Sequence, residues 1–180
     1  PVALTKNNPP KLNIIYFSAF KIWKISPTGV TSSLLAGVIG GSFYSIGPVY
    51  AQRLGYDIPI IAFIIGIVTL GGLVLQYPVG KLSDGKDRRK FLIVVNLLLG
   101  LICLLISLNF GSKVIFFALL ASFGGLLTSI YPLAVSYTND YLKPEELVSA
   151  SGTLVLAYGI GAALGPIFSS FTMTIFGQNS

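Results

Sequence analysis

The chain has 180 residues, 53% of them hydrophobic and 10% charged, with a mean hydropathy of +0.81 and a net charge of +6. An ordinary soluble domain carries about 25% charged residues, so this composition points to an integral membrane protein. Histidine is absent and Cys103 is the one cysteine, which excludes a histidine-based triad, a histidine-ligated zinc and a disulfide scaffold within the chain.

Residues 1–27 read as a basic linker, and within them "KLNIIYFSAFKIWKIS" punctuates an apolar stretch with Lys21, Trp23 and Lys24. Two readings stay open: an amphipathic segment lying flat at the membrane interface, or a plain linker with a short helix. Residues 28–180 hold five runs long enough to cross a bilayer, which needs about 20 largely apolar residues. They fall at about 29–50, 59–79, 91–108, 114–137 and 149–171. None shows the two-residue alternation of a barrel strand, so helices are expected. Pro48, Pro78, Pro132 and Pro166 fall near span ends or beside glycine-rich turns. The fold class is therefore all-α, with five transmembrane helices. An odd count predicts a chain that stops before a sixth helix.

The loops divide the basic residues unevenly. Ten lie on one side, among them Lys81, Lys86, Arg88, Arg89 and Lys90, and two, Arg53 and Lys113, lie on the other. The positive-inside rule places the ten, and the N-terminal segment with them, in the cytoplasm. Confinement of the lysines and arginines to gaps between apolar runs argues against a nucleic-acid partner, which would need a basic patch on a water-soluble fold.

One loop, "GKLSDGKDRRK" from Gly80 to Lys90, packs seven charges into eleven residues. Gly80 would permit close helix approach and Gly85 a backbone turn. Asp84 has two expected roles: accepting bonds from free N–H groups at a neighbouring helix start, or pairing with Arg88 or Arg89. An arginine fork suits a latch between moving helices better than lysine does.

In the last run, Ser149, Thr153, Ala157, Gly161, Gly165 and Ser169 recur every fourth residue and draw a stripe of small side chains. Such a stripe lets another helix backbone approach closely. Gly37 and Gly41 form a shorter version in the first run.

The loop resembles the signature of the major facilitator superfamily of secondary transporters, Gly-x-Leu-small-Asp-x-x-Gly-Arg-Arg/Lys. Gly80, Leu82, Ser83, Asp84, Arg88 and Arg89 fit, and Asp87 stands where the pattern has glycine. That departure adds an acid expected to compete with Asp84 for the arginines. The run "GTLVLAYGIGAALGPIFSS" is similar to the family's Gly-Pro packing motif through Gly152, Gly161, Gly165 and Pro166, with Ser169 and Ser170 replacing its final glycine pair. "LTSIYPLAVSY" resembles helix ten of bacterial YcaD-type members, and "KIWKISPTGV" resembles the central linker entering helix seven. The resemblance implies a partial major facilitator fold, five helices of a six-helix half. Helices seven to eleven are favoured, with the first half as the alternative.

No span centre carries Asp, Glu, Lys or Arg, so this segment supplies no evident proton carrier, and uniport or facilitated export stays open. The family lines its central cavity from the corresponding helices, which makes Tyr44, Gln76, Tyr131 and Tyr158 the candidate solute contacts. Asn96 is expected to bond a neighbouring helix. The resemblance implies a carrier in the bacterial inner membrane, working by alternating access on a small organic solute, with the lipid bilayer and the rest of the transporter as partners. It calls for no catalytic residue, metal or cofactor. The alternative is a sensor or assembly protein on the same scaffold.

Overall fold

The structure is a computed structural model that describes residues 19–108 and 112–176. Lys6, Lys11 and the final "GQNS" lie outside them. The described residues form helices α1 (Ala19–Ile25), α2 (Pro27–Arg53), α3 (Ile58–Ser83), α4 (Arg88–Ser107), α5 (Lys113–Asn139) and α6 (Leu147–Phe176). A 3-10 turn, Pro144–Glu146, leads into α6.

Each long helix contains its expected span, apart from one residue at the end of the third. At the charged end α3 continues to Ser83 and α4 starts at Arg88, and at the opposite end α6 runs on to Phe176. Apolar content marks the hydrocarbon slab, whereas backbone hydrogen bonding runs on into the polar layer. Pro27 and Pro59 start α2 and α3, positions where the missing N–H costs nothing. Gly55 and Gly85 take φ of 84° and 73° in the two tight loops, a conformation that favours glycine. Pro48, Pro78, Pro132 and Pro166 all lie inside helices; the chain does not break at them.

Two helix pairs organise the bundle. In the α2–α6 pair, a Cβ added at Gly37 would overlap the Tyr158 carbonyl oxygen, and one at Gly41 the Ala162 carbonyl oxygen. From the other side, Gly161 would meet the Leu34 carbonyl and Gly165 the Val38 carbonyl. In the α3–α5 pair, Gly71 faces the Ala121 carbonyl and Gly124 the Val68 carbonyl. Only the lack of side chains lets these backbones come so close.

α4 packs on the outside of α5, with Leu92, Val95 and Leu99 buried against Leu120, Phe123 and Leu127. Asn96 donates to the Leu92 carbonyl of its own helix at 2.8 Å rather than to a neighbour. A short side chain reaches back one turn more easily than across a helix gap.

At the charged end α1 is docked on the bundle. Ile22 is fully buried with Val30, Ala150 and Leu154, while Phe20 and Trp23 are exposed. Lys21 pairs with Glu146 at 3.9 Å, and Ser26, the residue between α1 and α2, shares a buried hydrogen bond of 2.9 Å with Thr138.

The five long helices are each long and apolar enough to span a membrane, yet only 17–39% of their most apolar stretches is buried within the molecule. Leu73 on α3 and Leu97 on α4 are about two-thirds exposed. Such surface is stable against lipid rather than water.

Candidate functional site

The two glycine-knit pairs stand side by side, and a cavity of about 390 Å³ opens between them. Tyr44 on α2, Gln76 on α3, Tyr131 on α5 and Tyr158 on α6 all line it. The structure thus brings the four candidate solute contacts together. Tyr131 and Tyr158 meet edge to face, with ring centroids 5.4 Å apart and planes at 66°. Gly40 and Thr128 also line the wall. Sequence reasoning singled out Gly37 and Gly41 but passed over Gly40, one position off their stripe. Among the five glycines of α2 nothing in the sequence marks it, because its turn toward the Tyr158 side chain shows only with α6 in place. No Asp, Glu, Lys or Arg contributes to this cavity among the described residues.

A second hollow of about 520 Å³ lies between α3 and α5 toward the charged end, lined in part by Gly80, Lys81, Asp84 and Ser136. Gln76 and Pro132 line both hollows. Gln76 therefore stands at the junction between the central cavity and the charged loop.

The charged loop is organised by Arg88. One guanidinium nitrogen bonds Asp140 at 2.5 Å and the Ser136 carbonyl at 3.4 Å, and the other reaches Asp84 at 3.4 Å. Arg88 thereby ties the end of α3, the start of α4 and the end of α5. Asp140, beyond the sequence signature, is the acid that reasoning from the loop alone missed. Among the described residues Arg89 makes no ion pair; its backbone N–H donates to Asp87.

Of the two roles expected for Asp84, the structure has pairing with Arg88. Capping of the next helix belongs to Asp87, not Asp84: Asp87 accepts from the N–H groups of Arg89 and Lys90 at 3.1 and 3.3 Å. Asp87 also pairs with the Lys90 ammonium at 3.5 Å, so it does not draw either arginine away from Asp84. It sits one residue before α4, the position where a carboxylate best meets free N–H groups. The Lys90 N–H first, then the Lys90 charge and the Arg89 N–H, hold its carboxyl below the ordinary 3.8, against some desolvation. A Cβ at Gly80 would meet nothing within 4 Å, so among the described residues no helix approaches closely there. The Gly80 carbonyl accepts the Ser83 hydroxyl at 2.6 Å.

The Gly-Pro segment divides likewise. Gly161 and Gly165 make the α2 seam, and Pro166 follows them inside α6. Gly152 faces open space. Nine residues rotate a helix by two and a half turns, so Gly152 points away from Gly161.

Among the described residues no group of three or more His, Cys, Asp or Glu is placed to hold a metal ion.

The Major Facilitator Superfamily profile matches residues 17–180. The chain is 32% identical over 142 residues to YfkF of Bacillus subtilis, named an uncharacterized MFS-type transporter, covering 79% of this chain and 35% of that protein. An uncharacterized MFS-type transporter of Enterobacter is 30% identical over 151 residues, 84% of this chain and 38% of its own. YcaD of Shigella flexneri, carrying the same description, is 28% identical over the same lengths. The chain spans less than two fifths of the length of these relatives. No solved structure matches it. With five membrane-length helices and a family match over nearly all of its residues, the chain belongs to the Major Facilitator Superfamily.

Proposed function

We propose that this chain is part of a secondary carrier of the bacterial inner membrane that moves a small organic solute by alternating access. The observation that carries this reading is the convergence of Tyr44, Gln76, Tyr131 and Tyr158, from four helices, on one cavity. In this reading the solute binds between these helices and the rest of the transporter, and rocking changes which side is open. The five long helices correspond to helices seven to eleven. The linker and the charged loop face the cytosol, where ten of the twelve basic residues then lie.

The Arg88 bridge supports a latch at that face. By holding three helix ends together it makes them move as one body, and Asp84, the outermost partner at 69% side-chain exposure, is free to exchange contacts. Changing Asp84→Asn should shift the inward/outward population more than changing Lys86→Ala. Spin-label distances across the cytoplasmic face would read it, and equal populations in the two variants would reject the latch.

The carrier itself is tested by flux. Full-length protein in vesicles, offered a broad panel of metabolites and drugs, should move at least one of them, and Tyr131→Ala should slow that flux. Movement of none would turn the reading toward a sensor or assembly role.

A further inference from the structure

We propose that the central cavity accepts a solute with a flat aromatic ring and no negative charge, and that Gly40 sets how deeply the ring can enter. This rests on the carrier reading and deepens it to a solute class.

The lining sets the charge class. The polar groups of the cavity are phenols, a hydroxyl and the Gln76 amide, all neutral, and the charged Lys81 and Asp84 belong to the adjoining hollow. An anion drawn from water against this wall would leave its hydration with no cation on the wall to meet it, a large penalty in an apolar setting. A neutral ring has no such cost, and a cationic one gains from the aromatic faces.

The tyrosine pair sets the preference for a ring. Tyr131 and Tyr158 are set edge to face at 5.4 Å. Such a pair offers both a face and an edge to a third ring, in the offset or T-shaped contacts that aromatic groups prefer.

Gly40 lies on the α2 wall of the cavity. A Cβ there would meet one group only, the Tyr158 hydroxyl, at 3.3 Å. Gly37 and Gly41, by contrast, would strike backbone. Helix packing therefore explains Gly37 and Gly41 but not Gly40. Its missing side chain leaves room for the Tyr158 phenol to lie back against α2, which keeps the space over the tyrosine pair open. A methyl at position 40 would press on the hydroxyl, which has to give by a few tenths of an ångström, and on this proposal it gives toward that space.

The test uses full-length protein in lipid nanodiscs and two probes of similar shape, neutral N-phenylnaphthylamine and its sulfonated analogue anilinonaphthalene sulfonate. Binding is measured against empty nanodiscs. The neutral probe should bind, and the sulfonated one about tenfold more weakly or worse. Gly40→Ala should weaken the neutral probe by about tenfold, the scale of one methyl group in an apolar pocket. Adding Tyr158→Phe to that variant should restore most of the loss, because the displaced atom is the hydroxyl. Equal or tighter binding of the sulfonated probe overturns the charge class. Unchanged binding in Gly40→Ala, or a loss that Tyr158→Phe leaves in place, overturns the role of Gly40. If neither probe binds while a panel solute is transported, the aromatic claim falls and the carrier stands. If nothing in the panel is transported, the carrier reading falls and this inference with it.

Discussion

The seam between α2 and α6 and the seam between α3 and α5 begin from the same device and end differently. Both use glycines to bring backbones together, but α2–α6 does so at four positions, each facing bare carbonyl. The α3–α5 seam does it at two, Gly71 and Gly124, while Gly72 and Gly125 meet the side chains of Thr128 and Leu75. Their charged ends differ too. Arg88 joins α3 to α5 through Asp84 and Asp140, whereas α1 closes α2 and α6 with buried Ile22 and the Lys21–Glu146 pair. Where glycine faces carbonyl the α2–α6 seam has few interlocking side chains to hold one register, and these gather toward the charged end around Val30 and Leu154, whereas Leu75 and Thr128 interlock beside the glycines of the α3–α5 seam. On the carrier reading, α2–α6 is the contact suited to sliding and α3–α5 the rigid one.

The largest expected effect is at the bare seam. Gly161→Ala puts a methyl against the Leu34 carbonyl, and should destabilise by about 1–3 kcal/mol. Thermal unfolding of full-length protein in detergent would show it, and an unchanged midpoint would mean that the two backbones are not in contact. Gly72→Ala should cost less, below about 1.5 kcal/mol, because its nearest neighbour, the Thr128 methyl at 2.9 Å, stands farther off than the carbonyl facing Gly161 and belongs to a side chain rather than to backbone. A reversed order would erase the distinction between the seams. Asp140→Asn loosens the staple rather than the seam. Its side chain is 47% exposed, so the loss should be at most about 1 kcal/mol. That loss should shrink in high salt, and a salt-independent loss would point to packing instead.

The smallest effect is at the start of α4. Because folding holds the Asp87 carboxyl below its ordinary 3.8, its cap is fully present above that value and is lost as pH falls through the lowered one. Hydrogen exchange at the Arg89 and Lys90 amides, corrected for intrinsic rates, should therefore rise in acid. Asp87→Asn, which caps without titrating, should remove the rise.

The five helices were legible because each carries a near-charge-free run of membrane length, and lipid demands no subtler pattern. The cavity residues were legible through their scarcity: a tyrosine or glutamine stands out where nearly everything is aliphatic. Which glycines do the packing was only partly legible. Gly161 and Gly165 share a face by their four-residue spacing, but Gly40, Gly71 and Gly124 could be assigned only once the neighbouring helix was in place. Asp140 was hidden for another reason. It lies 52 residues from Arg88, and no local pattern announces a partner that the bundle brings together from the far end of another helix. The Asp87 cap was readable from its place just before a helix start, and the family pattern, which has glycine there, drew attention away from it.

The account depends on one face of these helices lining a cavity open to water while another meets lipid. Single cysteines placed by Gln76→Cys, Tyr158→Cys, Leu97→Cys and Leu104→Cys, each with Cys103→Ser in the full-length protein, test that directly. A membrane-impermeant thiol reagent applied to vesicles opened to both sides should label positions 76 and 158 and spare 97 and 104, which lie on the outer face of α4. Labelling of 97 and 104 with protection of 76 and 158 would contradict it.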